Sequence, residues 1–235
     1  MKDKIKGVIK YFTPFEWSLW LIGMAIIIVG FFVGGGQEAL SLISALLGIT
    51  CVIFNAKGNV LGQFFAIGFA AVYATLAYFN RYYGEMIIYL ALMAPIHIAS
   101  IVSWIKHTNK NSSHLEVKIN TVTKKEYIIA GICAIFLCVA FYFLLKLLGT
   151  DNLILSTISL MTSLAAAYLM LRRCEYFAIC FILNDVVLII LWSLKLPTVG
   201  LEILPSILSF VLFLVFDSYS FISWKAIKRR QSTQQ

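Results

Sequence analysis

The sequence predicts an all-α polytopic membrane protein of eight transmembrane helices, and three observations carry the prediction. Of 235 residues, 61% are hydrophobic and only 13% charged, with a mean hydropathy of +0.90. That is more apolar surface than one water-soluble core can bury. Second, apolar runs of about 20 residues, the length that crosses a hydrocarbon core about 30 Å thick, recur along the whole chain. They are continuously apolar rather than alternating, which predicts helices and not barrel strands. Third, the lysines and arginines sit on alternate connections. Of the 19, only Arg81, Lys146 and Lys195 fall on the far side, an asymmetry that places both termini in the cytoplasm.

The first helix is expected at 16–34. No small-x-small cleavage pattern follows a short apolar core there, so it reads as a retained, accessory helix and not as a removed signal. The second, 38–55, ends beside Lys57, an interfacial anchor. The third, 59–79, opens on Asn59 and Gln63, an i, i+4 pair that either meets a ligand or caps and braces the helix. Tyr73 lies further along it. Gly62, Gly68, Ala66, Ala70 and Ala71 mark a close helix contact. Tyr82 and Tyr83, before Gly84 and Glu85, fit an aromatic belt at the outer interface. In the fourth helix, 86–106, Pro95 predicts a kink and His97 a packed or cavity-facing imidazole.

The basic loop 107–126 and the tail 226–235 read as anchors against anionic lipid. A connecting helix, 127–148, leads to three more at 152–171, 175–194 and 203–225. Ser100-Ile-Val-Ser103-Trp104 and Ser220-Phe-Ile-Ser223-Trp224 each close a helix 120 residues apart and precede lysines. Helices two to four and six to eight also share a hydropathy pattern. With one helix between them, both triplets enter the membrane from the same side. Such parallel repeats place a substrate site where the halves meet near the midplane.

A carboxylate at a helix centre costs about 2.5–3.5 kcal/mol on insertion scales and usually faces a protein interior or a wet cavity. On the seventh helix Phe177, Cys180 and Asn184 share a face at steps of 3 and 4, with Asp185 beside them and Trp192 seven residues beyond. One reading is a pocket wall with an aromatic for a flat ring, an amide, and a carboxylate for ribose-like hydroxyls. The other is that Asn184 and Asp185 only bridge helices. In the last helix Asp217 shares a face with Ser220 and Trp224, either as a ligand group or bonded to its neighbouring triplet. The expected site is bounded by Phe177, Cys180, Asn184, Asp185, Trp192 and Asp217 on one side and Asn59, Gln63 and Tyr73 on the other.

Several classes are excluded. The cysteines Cys51, Cys133, Cys138, Cys174 and Cys180 are scattered without CxxC spacing, which speaks against disulfides and metal, and His97, His107 and His114 support no zinc site. No cofactor is expected. No GxxxxGK[ST] run exists for ATP, and no aromatic-interleaved basic face exists for nucleic acid. An intramembrane enzyme would have only His97 with Asp185 or Asp217 as raw material, so an enzyme is not expected.

Lys57-Gly58-Asn59, Tyr82-Tyr83-Gly84-Glu85, the run Glu175 to Asp185 and the twice-used Ser-x-x-Ser-Trp together resemble the Pnu family of bacterial vitamin transporters, over residues 16–230. The resemblance implies a 3+1+3 helix arrangement similar to an enlarged SWEET-type fold, in the bacterial cytoplasmic membrane. It also implies homotrimers and facilitated diffusion, with cytoplasmic kinases trapping the cargo. Nicotinamide riboside, an NAD precursor, is the implied cargo, with thiamine, riboflavin or a deoxynucleoside as alternatives. The family motif has two tryptophans three apart and an asparagine or aspartate four further on. Here Phe177, Cys180 and Asn184 hold those positions, so the amide is kept and both indoles are replaced.

Overall fold

The computed structural model describes residues 11–109 and 116–233. The N-terminal lysines Lys2, Lys4, Lys6 and Lys10, the loop residues Lys110 and His114, and residues 234–235 lie outside the described residues. Among the described residues, eight helices are long and apolar enough to cross a membrane, as the composition predicts. They are α1 (Pro14–Val33), α2 (Ala39–Ala56), α3 (Leu61–Phe79), α4 (Tyr83–Lys106), α5 (Lys124–Leu147), α6 (Leu153–Leu171), α7 (Phe177–Ser193) and α8 (Leu204–Thr233).

Local chemistry sets the helix ends. Thr13 and Thr123 each open a helix with a capping box, their hydroxyls accepting from the N–H of Glu16 and Glu126 while those carboxylates accept in return. Two orphan donors are satisfied at each start. The expected break at Pro95 takes the form of a π-helical turn, Ile88–Met93, just ahead of it. A wider turn accommodates a residue that lacks an N–H and clashes with the carbonyl four back.

Helices α2, α3, α4, α6, α7 and α8 form a closed ring. Each packs on its chain neighbour within 2–3–4 and 6–7–8, and the ring closes along two seams, α4 on α6 and α8 on α2. Helix α1 lies outside the α2–α8 seam, and α5 lies outside the ring against α6. Small residues permit the closest approaches. A Cβ on Gly62 would collide with the Asn55 side chain on α2, and one on Gly48 would collide with the Phe213 ring on α8.

The last helix does not stop at 225 but runs to Thr233, so the expected tail is mostly helical. Partners hold it there: Lys228 pairs with Glu175 at 2.6 Å and Arg230 with Glu116 at 2.9 Å. The loop before α5 also packs on protein. Val117 N–H donates to Gly58 O, Asn120 N–H to Arg173 O, and Ile119 N–H to the Gln231 side chain. Lys57, expected as a lipid anchor, instead pairs at 3.0 Å with the buried Glu16, which also accepts from Tyr219. These contacts define a basic end of the molecule. At the opposite end Lys195 pairs with Asp151 at 2.7 Å.

Candidate functional site

All six ring helices converge on one central chamber. Gly48, Cys51 and Asn55 of α2, Phe69 of α3, Tyr89, Met93 and His97 of α4, Met170 of α6, Phe181, Asn184 and Asp185 of α7, and Phe210, Phe213 and Asp217 of α8 line it. Polar side chains and aromatic rings share its lining. The free volume is about 50 Å³, space for a few waters. A nucleoside-sized cargo requires the helices to part.

Ser159, Thr162 and Ser163, on one face of α6, all donate to Asn184 Oδ1, at 3.2, 2.8 and 3.0 Å. Three donors saturate the carbonyl and leave the amide nitrogen to donate elsewhere. Asp185 and Asp217 both line the chamber, from the packed helices α7 and α8. The outer oxygen of Asp185, Oδ2, is buried without a partner. Gln63 stands behind the wall and fixes two lining groups. Its Nε2 donates to Asn55 Oδ1 at 3.0 Å, and its Oε1 lies 2.8 Å from His97 Nδ1. Because an amide oxygen only accepts, Nδ1 is the donor.

Aromatic plugs close both ends. Toward the basic end Trp104 and Trp224 lie 5.6 Å apart, and Phe177 meets Trp224 edge-on at 4.8 Å. Trp104 Nε1 donates to Met170 O at 3.1 Å and Trp224 Nε1 to Asn55 O at 2.8 Å. Toward the opposite end Trp192 Nε1 donates to Tyr73 Oη at 2.8 Å, and Tyr82 donates to Leu191 O at 2.6 Å.

The expected residues therefore divide. Asn184, Asp185 and Asp217 line the chamber. Gln63 is one layer behind it, and Tyr73 and Trp192 belong to the far plug. Phe177 lies under Trp224 rather than in the chamber, where Phe181, one turn further on, takes the ring position. Cys180 faces a separate apolar groove formed by α5, α6 and α7. Asn59 follows the capping alternative: its Oδ1 accepts from Leu61 N–H at 2.9 Å and its Nδ2 donates to Tyr11 Oη at 2.8 Å. Burial pushes the Tyr11 phenol up to about 12 despite the opposing Asn59 bond. Tyr82 is fully buried, correcting the belt assignment, because its hydroxyl closes the far plug instead of facing headgroups.

Sequence reasoning missed Asn55, Phe69, Tyr89, Phe181, Phe210 and Phe213. Asn55 stands two residues before Lys57, where an asparagine reads as a turn residue. The phenylalanines carry no signal in a chain with 18 of them.

A membrane-spanning ring around a polar chamber, plugged at each end, is the build of a transporter. The chain belongs to the nicotinamide mononucleotide transporter family, whose model matches residues 38–226. It is 27% identical over 227 residues to the nicotinamide riboside transporter PnuC of Neisseria mucosa, covering 94% of this chain and 85% of that protein. It is also similar to the crystal structure of the vitamin B3 transporter PnuC, with a TM-score of 0.83 and 26% identity over 93% of this chain and 94% of that one.

Proposed function

We propose that this chain carries nicotinamide riboside across the bacterial cytoplasmic membrane by facilitated diffusion, with alternating access to the central chamber. One observation carries the reading: Asn184, Asp185 and Asp217 line the same chamber as the rings of Phe69, Phe181, Phe210 and Phe213. A flat ring suits the aromatic walls, and ribose hydroxyls suit the carboxyls and the free amide N–H. The names of the relatives support the same cargo.

Helices α2–α4 and α6–α8 act as two like-oriented repeats that rock against each other along the two seams. The equivalent seam bonds, Trp104 to Met170 O and Trp224 to Asn55 O, support this. The basic end faces the cytoplasm, by the positive-inside bias. The assembly is a homotrimer with one pathway per protomer, embedded in membrane lipid.

The competing cargoes within the family are thiamine, riboflavin and a deoxynucleoside, because no indole among the described residues lines the chamber to stack on a nicotinamide ring. Calorimetry with purified protein against nicotinamide riboside, thiamine, riboflavin and thymidine decides between them. The reading expects nicotinamide riboside to bind tightest; preference for another ligand transfers the assignment to it. Uptake into vesicles that is unchanged by an ionophore is expected for facilitated diffusion, and a collapse of uptake would show ion coupling.

A further inference from the structure

Helices α4 and α8 carry the same three-rung ladder. His97, Ser100 and Trp104 share one face of α4 at steps of 3 and 4, and Asp217, Ser220 and Trp224 share one face of α8 at the same steps, each 120 residues later. The top rung of each, His97 or Asp217, lines the chamber. The bottom rung of each is a tryptophan latched to the opposite triplet, Trp104 to Met170 O and Trp224 to Asn55 O. The middle rungs are the anomaly. Ser100 and Ser220 are both fully buried, and both hydroxyls lack any hydrogen-bond partner.

A buried hydroxyl without a partner destabilises the fold, and a helical serine ordinarily avoids this by bonding to a carbonyl one turn back. Two such hydroxyls at equivalent positions, between a polar chamber and a latched aromatic plug, point to a partner that arrives in another conformation. The cluster of Trp104, Phe177, Trp224, Leu169 and Met170 on this stretch is built mainly of apolar surface, so a passing sugar's hydroxyls gain from a polar side chain beside it.

We propose that Trp104 and Trp224 are the gate at the basic end, and that Ser100 and Ser220 form a second, transient station for the hydroxyl groups of a sugar-bearing cargo as that gate opens. This rests on the transport reading above and adds an exit step to it. When the triplets rock apart, the indole N–H groups leave Met170 O and Asn55 O. The serines then hand the cargo from the Asp217 level toward the cytoplasm.

The test is counterflow of labelled nicotinamide riboside in proteoliposomes, with thermal melting of the same proteins free of cargo. In the double variant Ser100→Ala, Ser220→Ala, melting should rise by about 2 °C or more, because two orphaned hydroxyls are removed. Counterflow should fall by about fivefold, the weight of one hydrogen bond. Any other combination overturns the station: a higher melting point with unchanged exchange marks two packing defects, and a lower one marks structural bonds. Trp104→Phe with Trp224→Phe keeps the rings and removes the latch, so exchange should speed up; an unchanged or slower rate overturns the gate. If the wild type exchanges no nicotinamide riboside, the cargo assignment fails separately, the melting arm still reads the orphaned serines, and exchange is measured with whichever of thiamine, riboflavin or thymidine is carried.

Discussion

Asn184 shows how a chain this apolar keeps an amide at mid-membrane: a row of hydroxyls on α6 supplies in place the donors that water would have offered. Replacing Asn184 with alanine removes the amide from the chamber wall and strands the hydroxyls of Ser159 and Ser163, whereas Thr162 keeps the carbonyls of Ile158 and Ser159 as acceptors. Calorimetry should record a loss of about 1–3 kcal/mol in cargo binding, and affinity equal to wild type would remove Asn184 from the site. Cys180 provides the contrast. It occupies a position of the family motif but faces the outer groove, so Cys180→Ser should leave cargo affinity within about twofold, well under the effect of one hydrogen bond. A large loss there would show that the chamber extends past α7.

At the scale of elements, packing is set by a few positions without side chains. Gly48 admits the Phe213 ring between α2 and α8, so Gly48→Ala overfills that contact at about 1–3 kcal/mol. Thermal melting should fall by several degrees, as about 2–4 °C accompanies each kcal/mol in a protein of this size. Helix α1 depends on one buried carboxylate: Glu16 caps its own helix, pairs with Lys57 and accepts from Tyr219 of α8. Glu16→Gln should lower the melting point while cargo affinity holds, because none of these groups lines the chamber.

Helices were legible because length, hydropathy and charge placement each report directly on a bilayer. All eight spans start and end within three residues of expectation, apart from the long end of α8. Within the site, Asn184, Asp185 and Asp217 were legible because polarity is costly in lipid. Phe177 and Phe181 were not separable, since both sit on an apolar helix and only the crossing of α7 by α8 decides which ring faces inward. Tyr82 was misread for a related reason: a tyrosine near a helix end reads the same whether its hydroxyl meets headgroups or the carbonyl of Leu191.

For the molecule as a whole, the two seams must open in turn if the chamber is to serve both sides. At the end opposite the basic one, Ser41 Oγ and Ser206 Oγ lie 2.7 Å apart across the α2–α8 seam. Cysteines at these two positions would be within reach of a disulfide. Ser41→Cys with Ser206→Cys should abolish counterflow after oxidation and regain it on reduction. Exchange that persists in fully oxidised protein would show that this seam stays shut throughout the cycle.

Helix α5 lines no part of the chamber, so on the proposed like-oriented arrangement of the two triplets its role is one of parity: a single extra pass through the lipid turns the chain round so that the second half inserts the same way up as the first. Any sufficiently greasy stand-in of equal length should serve, whereas deleting the pass would seat the second half upside down and leave the two tryptophan latches at opposite faces of the bilayer.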